Sequence, residues 1–256
     1  MMNHTEILAA LDFDRRFIGA PGFRLESEPK IARFIAEDAG GPAWVAWSGF
    51  DEAEIDAAIE REKAYFAALG RGFEWKVYDH DQPADLRQRL LAHGAQVEEA
   101  EAFMVLDTQN MPEVWAKPIT KTVRKIENPA ELQDFAAVED AIWAERSHHV
   151  DWPEEMRKAS DVTSFYVAYD GGKPVSAARA SFYPGSLFCG LWGGATLAEY
   201  RERGYYTALV AARVQEAIRR GVRFVSIDAA PTSRPILEKR GFEFVTNTYP
   251  CVFSAK

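Results

Sequence analysis

The sequence contains one strand–helix–strand pattern twice. The stretches GRGFEWKVYDHDQPADLRQRLLAHGAQVEEAEAFMVL and RRGVRFVSIDAAPTSRPILEKRGFEFVTNTYPCVF each run from a glycine through a strand, a polar loop and a short helix to a second glycine and a strand. Leu90 lies four residues before Gly94, as Leu237 lies four residues before Gly241. Short α/β units can agree this well by chance, but the agreement favours a duplication and hence two copies of one α/β fold.

Strand and helix patterns alternate on both sides of a proline-containing stretch, TQNMPEVWAKPITK. We place a linker there, at residues 108–118, which predicts domains at residues 1–110 and 119–256. Ile31, Phe34 and Ile35 share one helical face, so the stretch EPKIARFIAEDAG is predicted to be a helix. Asp170-Gly171-Gly172 lies between two strand patterns and predicts a hairpin turn.

Bulk composition excludes several classes of protein. The 256 residues carry a net charge of −9, which argues against nucleic acid as a partner because phosphate binding needs a basic surface. The first residues lack the basic start of a secretion signal, and no apolar run is long enough to span a bilayer, so we expect a cytoplasmic protein that does not bind membranes. Cys189 and Cys251 are expected to be buried free thiols, and no Cys/His cluster has the spacing of a metal site.

The stretch TLAEYRERGYYTAL joins a strand pattern to a helix pattern. A helix start presents unpaired N–H groups and a positive dipole end, so Arg201, Arg203 and Gly204 at this junction fit an anion-binding loop as well as an ordinary turn. In the helix that follows, Tyr206, Val210 and Val214 share one face, and Arg213 is expected on the charged side. The other half carries acidic residues at its helix start, in the sequence WSGFDEAEIDAA, which would repel an anion.

The order of these parts in residues 119–256 resembles the GNAT superfamily of acyl-CoA-dependent N-acyltransferases. The family pattern Arg/Gln-x-x-Gly-x-Gly/Ala is matched by Arg201 to Tyr206, except that Tyr206 replaces a small residue. The resemblance implies two tandem α/β (α+β) domains, each a mixed, mostly antiparallel sheet flanked by helices, with the N-terminal domain a degenerate copy without the loop. It implies that the strand residues Gly194, Ala195 and Thr196 bind the pantetheine arm of acetyl-CoA. The implied pyrophosphate loop comprises Arg201, Glu202, Arg203, Gly204, Tyr205, Tyr206 and Thr207.

The catalytic groups are harder to assign. Leu237 stands where many family members have a tyrosine acid, and Ala230 where an asparagine is common. The candidate acids are Tyr205 and Tyr206, and the candidate bases are Asp228, Glu145, His148 and His149; of these we select Tyr206, Asp228 and His148. The predicted acceptor pocket comprises Trp143, His149, Trp152 and Trp192, although tryptophans at such positions are often core residues and the histidines are often only exposed.

The leading hypothesis is an N-acetyltransferase that moves an acetyl group from acetyl-CoA directly to an amine of a small molecule or peptide, as a monomer or homodimer and without a metal. Two alternatives stay open at this point. The first alternative is an acyl-CoA-binding or regulatory protein without catalysis. The second is a structural protein in which the loop is only a turn.

Overall fold

The computed structural model describes residues 2–143 and 151–255. Its helices are α1 His4–Phe17, α2 Ile55–Ala68, α3 Leu86–Ala92, α4 Leu132–Trp143, α5 Trp152–Ala159, α6 Tyr205–Arg219 and α7 Arg234–Glu238. No described helix combines the length and the apolar composition that a membrane span needs.

Twelve strands are described, and most of their pairings are antiparallel. They are β1 Phe23–Glu28, β2 Ile31–Ala36, β3 Ala43–Ser48, β4 Phe73–Tyr78, β5 Gln96–Val97, β6 Glu101–Asp107, β7 Thr122–Ile126, β8 Thr163–Asp170, β9 Lys173–Phe182, β10 Phe188–Thr196, β11 Phe224–Ala229 and β12 Glu243–Phe253. This mixed, mostly antiparallel sheet structure with flanking helices confirms the predicted fold class.

The chain forms two compact units, and the first of them is discontinuous in sequence. It comprises residues 1–104, 228–236 and 244–256. Its strands run in the order β1-β2-β3-β4-β12, with β3 and β4 parallel and β4 and β12 antiparallel. Its core includes Phe253 of β12, whose ring stacks on Phe73 of β4 at 4.8 Å between centroids. The strand β12 is therefore part of the first unit, while the predicted division into residues 1–110 and 119–256 stays a prediction.

The second unit comprises residues 105–227 and 237–243. Its strands run in the order β11-β10-β9-β8-β7. The pairs from β7 to β10 are antiparallel, and β10 pairs with β11 in parallel. The hairpin predicted at Asp170 joins β8 and β9, with Asp170 opposite Lys173. Helix α4 follows a turn in which the Asn128 side chain accepts a hydrogen bond from the backbone N–H of Ala130.

The helix predicted in EPKIARFIAEDAG is wrong, because Ile31–Ala36 forms strand β2. All six residues of this strand are buried. The charge of Arg33 is balanced by Glu62, whose carboxylate accepts hydrogen bonds at 2.5 and 2.8 Å, and by Glu28 at 2.7 Å. A strand buried on both faces has no period-2 pattern, and the single arginine made its apolar residues look helical.

The two copies of the sequence repeat end their helices in the same way. Gly94 and Gly241 are both left-handed, with φ of 96° and 87°. The residue after each glycine donates its N–H to the leucine carbonyl five residues earlier, at 3.0 Å to Leu90 and 3.1 Å to Leu237. Such caps satisfy the last carbonyls of a helix and favour glycine at the left-handed position. The repeated glycines and leucines therefore have the same structural role in both halves.

The segment predicted to be a linker is well packed. Within residues 108–118, Trp115 lies in a short 3₁₀ turn and is 1% exposed. Its Nε1 donates to the Arg240 carbonyl at 2.8 Å. The prolines of this stretch indicated a loop, but sequence alone did not reveal that the tryptophan is buried.

Candidate functional site

The site of interest lies where β10 leaves its parallel neighbour. Among the described residues, β10 pairs with β11 at three positions, from Phe188 to Gly190, although β10 continues to Thr196. Its pairing with β9 shifts register between Trp192 and Ala195, which is a β-bulge, and Gly193 in the bulge has φ of 61°. A strand that leaves its neighbour presents unpaired backbone groups along one edge. Gly194, Ala195 and Thr196, predicted to bind a pantetheine arm, lie on this diverging segment.

The loop after β10 curls back to the start of α6. Glu202 has φ of 62° and Gly204 has φ of 86°, so both adopt the left-handed conformation. Left-handed residues next to right-handed ones point successive N–H groups into one concavity, which suits an anion. Gly204 is the N-cap of α6 without a side-chain cap, and the first turn of α6 has no acidic residue. No side chain therefore caps the N–H groups at the start of α6.

The corresponding helix of the first unit has an acidic start. Before α2, the Asp51 carboxylate accepts hydrogen bonds from the N–H groups of Ala53 at 2.9 Å and Glu54 at 3.0 Å. Asp56 adds a negative charge in the first turn of α2. This turn is thus occupied by a carboxylate of its own chain, whereas the start of α6 is not. The contrast predicted from sequence between the two helix starts agrees with these contacts.

Three cationic side chains surround the α6 loop. Arg201 Nε donates to the Thr196 carbonyl at 3.2 Å, and Arg203 lies 3.9 Å from the Asp170 carboxylate. Lys121 Nζ lies 4.6 Å from the centroid of the Tyr205 ring, and a β-carbon at Gly204 would contact its side chain at 4.0 Å. Sequence reasoning missed Lys121, because nothing near it in sequence connects it to a loop about 80 residues away.

The bulge in β10 has different neighbours at its two glycines. A β-carbon at Gly193 would lie 3.3 Å from Glu139 Oε1 and 3.6 Å from Arg179 Nε. A β-carbon at Gly194 would lie 3.1 Å from the Tyr206 ring and 3.5 Å from Arg213 Nη2. The side chains of Glu139 and Arg179 therefore lie near one glycine of the bulge, and those of Tyr206 and Arg213 lie near the next.

Glu139 is a functional candidate that sequence reasoning missed. It is 7% exposed, and Oε1 has no hydrogen-bond partner in the described part of the chain. Burial raises the pKa of Glu139 to about 7, against the opposing charge of Arg179 and with a further rise from Asp140. One signal was present in the sequence, since Glu139 lies seven residues after Leu132 and therefore on the apolar face of α4.

Arg213 is buried, which corrects the expectation that it lies on the charged side of α6. Its guanidinium donates to the carbonyls of Leu209 at 3.0 Å, Arg179 at 3.0 Å and Trp192 at 3.4 Å. Burial lowers the pKa of Arg213 to about 10, and Nη2 has no hydrogen-bond partner among the described residues. A buried cation of this kind stabilises negative charge on a neighbouring ligand atom.

Glu216 fixes α6 to the sheet. Its carboxylate accepts hydrogen bonds from Lys125 at 2.7 Å, Ser164 at 3.0 Å, Arg220 at 2.8 Å and the Tyr166 hydroxyl. Burial alone would raise the pKa of Glu216, but the bonds from Lys125 and Tyr166 outweigh it and lower the pKa to about 2. The helix that carries the loop is thus held by an ionised carboxylate.

The predicted catalytic residues have different surroundings. Tyr206 is half-buried in the first turn of α6, against Gly194. Asp228 is the fifth residue of β11 and belongs to the first unit. Its Oδ2 forms an ion pair with Lys76 Nζ at 2.5 Å. His148 lies outside the described residues, and Leu237, at the usual tyrosine position, is fully buried. The roles of Tyr206, Asp228 and His148 stay predictions.

The residues predicted to form an acceptor pocket are only partly described. His149 and Glu145 lie outside the described residues, and Trp143 is the half-buried last residue of α4. Trp152 is buried against Phe135, and its ring faces the Arg179 guanidinium at 4.9 Å. Trp192 is 43% exposed and covers Gly190. These tryptophans remain predicted pocket residues.

In the part of the chain that the structure describes, one cluster has ligand types that suit a metal. Asp12, His80 and Asp81 place their ligand atoms within 4.8 Å of one another. The guanidinium of Arg15 donates to both carboxylates at 2.7 Å and is buried among them. The positive charge of Arg15 therefore already balances the two carboxylates. That the protein works without a metal stays a prediction.

Comparison with known proteins is consistent with this geometry. Residues 128–242 match the model of the acetyltransferase (GNAT) family. A GCN5-related N-acetyltransferase from Kribbella flavida has a similar structure, with a TM-score of 0.68 and 18% sequence identity over 90% of this chain and 89% of that one. A tandem GNAT protein from the clavulanic acid biosynthesis pathway has a TM-score of 0.56 and 15% sequence identity over 96% of this chain and 88% of that one.

A functionally unknown conserved protein from Staphylococcus epidermidis has a TM-score of 0.70 and 13% sequence identity over 95% of this chain and 98% of that one. No curated protein matches this sequence. At these identities the structural likeness concerns the fold, and the match of residues 128–242 supplies the family. The divergence of β10 and the loop at α6 both lie inside that match. Residues 128–242 therefore match the acetyltransferase (GNAT) family, and the likeness to these structures shows a fold of two GNAT-like domains.

Proposed function

We propose that this protein transfers an acetyl group from acetyl-CoA directly to an amine of a small molecule or peptide. The observation that carries the proposal is the continuous path from the diverging end of β10 to the uncapped start of α6. A strand edge suits the amide-rich pantetheine arm, and the concave loop suits the pyrophosphate. In this proposal the first unit, with Asp51 at the equivalent turn, has a structural role.

The loop supplies enough interactions to hold a pyrophosphate. The helix dipole contributes about 0.3–2 kcal/mol, and each N–H bond to a charged oxygen contributes about 1.5–3 kcal/mol. In the proposed complex the backbone N–H groups of Glu202 to Thr207 bind the phosphate oxygens. Arg201, Arg203 and Lys121 add positive charge around them. The bulky side chain of Tyr206 leaves its backbone N–H in place.

The chemistry is a direct transfer. A neutral amine attacks the thioester carbonyl carbon, the C–S bond breaks, and coenzyme A leaves as a thiolate that takes up a proton. Holding the reactants together supplies about 7–11 kcal/mol of the barrier reduction. Because Leu237 supplies no acid, Arg213 and Tyr206 beside Gly194 are the groups that would stabilise the developing negative charge.

Calorimetry of acetyl-CoA binding tests the proposal. The double variant Arg201→Glu/Gly204→Glu reverses charge at the loop and places a side chain on a residue with φ of 86°. A matched control is Arg157→Glu/Gly172→Glu, because Arg157 is exposed and Gly172 has φ of 88° with open space around it. We expect binding by the wild type and the control and at least a tenfold loss in the loop variant. Equal binding by all three proteins, or none by the wild type, would refute the cofactor assignment.

Thiol release from acetyl-CoA, measured across a panel of amines, then separates an enzyme from a binding protein. Release that depends on one class of amine identifies the acceptor. Tight binding of acetyl-CoA with no release for any amine would instead favour an acyl-CoA-binding protein.

A further inference from the structure

The carboxylate of Glu139 lies beside the bulge of β10. Oε1 would be 3.3 Å from a β-carbon at Gly193, which is closer than most real β-carbon contacts, so the glycine leaves room for the carboxylate beside the backbone. The oxygen is buried and has no hydrogen-bond partner among the described residues. Burying a polar atom without a partner costs about 1–3 kcal/mol, so the position of this oxygen requires an explanation.

Two charged groups of the described residues act directly on Glu139. Arg179 approaches from β9 and Asp140 lies on the same helix, while Glu155 of α5 and Tyr183 act on Arg179. Arg179 Nε, like Glu139 Oε1, is buried and has no hydrogen-bond partner in the described ranges, although the Arg179 guanidinium faces the Trp152 ring at 4.9 Å. The carboxylate of Glu139 and the guanidinium of Arg179 thus lie near the same glycine. Each has one atom that could form a hydrogen bond to a ligand. The pKa of Glu139, raised by burial to about 7, lets the carboxylate exchange a proton at neutral pH.

We propose that Glu139 is the general base of the acyl transfer and accepts the proton that the attacking nucleophile loses. The inference rests on the proposed function, in which the thioester lies along Gly193–Thr196. As the nucleophile bonds to the carbonyl carbon, its proton passes to Glu139 Oε1 and the C–S bond breaks. The thiolate then takes a proton from solvent, and Glu139 returns its own to solvent, which restores the enzyme.

A structural role is the rival explanation. If Glu139 only balanced the charge of Arg179, its replacement would lower the melting temperature and leave the pH dependence of the reaction unchanged. A base must be ionised, so the rate must rise with pH through the pKa of Glu139 and reach a plateau above it. The shape of the pH profile therefore distinguishes the two roles.

Acetyl-CoA alone is a sufficient probe, because water can replace the amine as nucleophile. The slow hydrolysis of its thioester releases a thiol that can be measured from pH 5.5 to about 9. The test variant is Glu139→Gln, which keeps the shape of the side chain. The matched control is Asp140→Asn, which removes the same charge from the exposed neighbouring residue.

We expect Glu139→Gln to lower the plateau rate by about 10²-fold or more and to remove the rise near pH 7. Asp140→Asn should keep the plateau and move the rise to slightly lower pH, because Asp140 raises the pKa of Glu139. The inference is overturned if Glu139→Gln and Asp140→Asn show the same hydrolysis rates and the same pH dependence. Calorimetry of acetyl-CoA binding distinguishes a failure of the proposed function from a failure of this inference. If the wild type does not bind acetyl-CoA, the proposed function is refuted. If binding is intact and the two variants hydrolyse acetyl-CoA equally, only the role of Glu139 as base is refuted.

Discussion

The ionised carboxylate of Glu216 makes a quantitative prediction about stability. In the variant Glu216→Gln the side chain keeps its size but loses the charge that binds Lys125 and Arg220. The pKa of Glu216 falls from 4.5 to about 2 in the folded chain. That difference corresponds to about 3 kcal/mol, and we reduce it to about 2 kcal/mol because Lys125 and Arg220 are partly exposed and their charges are screened.

The pH dependence of this contribution has a definite sign. A carboxylate whose pKa is lower in the folded state than in the unfolded state stabilises the fold above the unfolded value. The contribution of Glu216 is therefore complete above pH 4.5 and is lost as the pH falls towards 2. The difference in unfolding free energy between the wild type and Glu216→Gln should shrink over the same range.

Thermal and urea unfolding, followed by circular dichroism at pH 7 and at pH 3, measure this difference. Glu199→Gln is the control, because Glu199 is 60% exposed and lies 3.6 Å from Lys173. We expect the melting temperature to fall by about 2–4 °C for each kcal/mol lost at pH 7 in Glu216→Gln, and to change little in the control. The reasoning fails if both variants are equally stable at pH 7, or if the effect of Glu216→Gln is as large at pH 3.

Two further substitutions test the packing. Phe253→Ala removes the ring that stacks on Phe73, and we expect a loss of about 3–5 kcal/mol in urea unfolding; an effect below 1 kcal/mol would contradict the place of β12 in the first core. Gly241→Ala puts a β-carbon 2.4 Å from Pro112 at φ of 87°, whereas Gly172→Ala adds one in open space at φ of 88°. Both substitutions strain the backbone by about 1–2 kcal/mol, so the clash with Pro112 is the difference between them. Gly241→Ala should therefore have the lower melting temperature, and equal melting temperatures would refute the clash.

The loop at the start of α6 could be located from the sequence because its determinants are contiguous, while its binding of an anion stays a prediction. Arg201, Arg203 and Gly204 lie together at a strand-to-helix junction, where backbone N–H groups and the helix dipole act locally. The repeat was visible for the same reason, since Gly94 and Gly241 each close a helix within a few residues. Features that depend on short-range geometry can be identified from one sequence.

Residues brought together by the sheet were not predictable. Glu139, Arg179 and Gly193 meet only because α4 packs on β9 and β10, and the bulge that admits them has no clear sequence pattern. Arg213 was assigned to the wrong side of α6 because its charge suggested exposure, while its guanidinium in fact satisfies carbonyls inside the unit. The same bias made Arg33 suggest a helix in place of the buried strand β2.

The membership of β12 in the first unit has a consequence for biosynthesis. Tyr78 of β4 pairs with Thr248 of β12, so the ribosome adds about 170 residues between two strands that must lie side by side. Domains usually fold in the order in which they are made, but the last segment of the first unit is translated after the whole of the second unit, which ends at residue 243. Until then β4 is paired with β3 along one edge only, and its other edge, which β12 later covers, is open to pairing with another molecule.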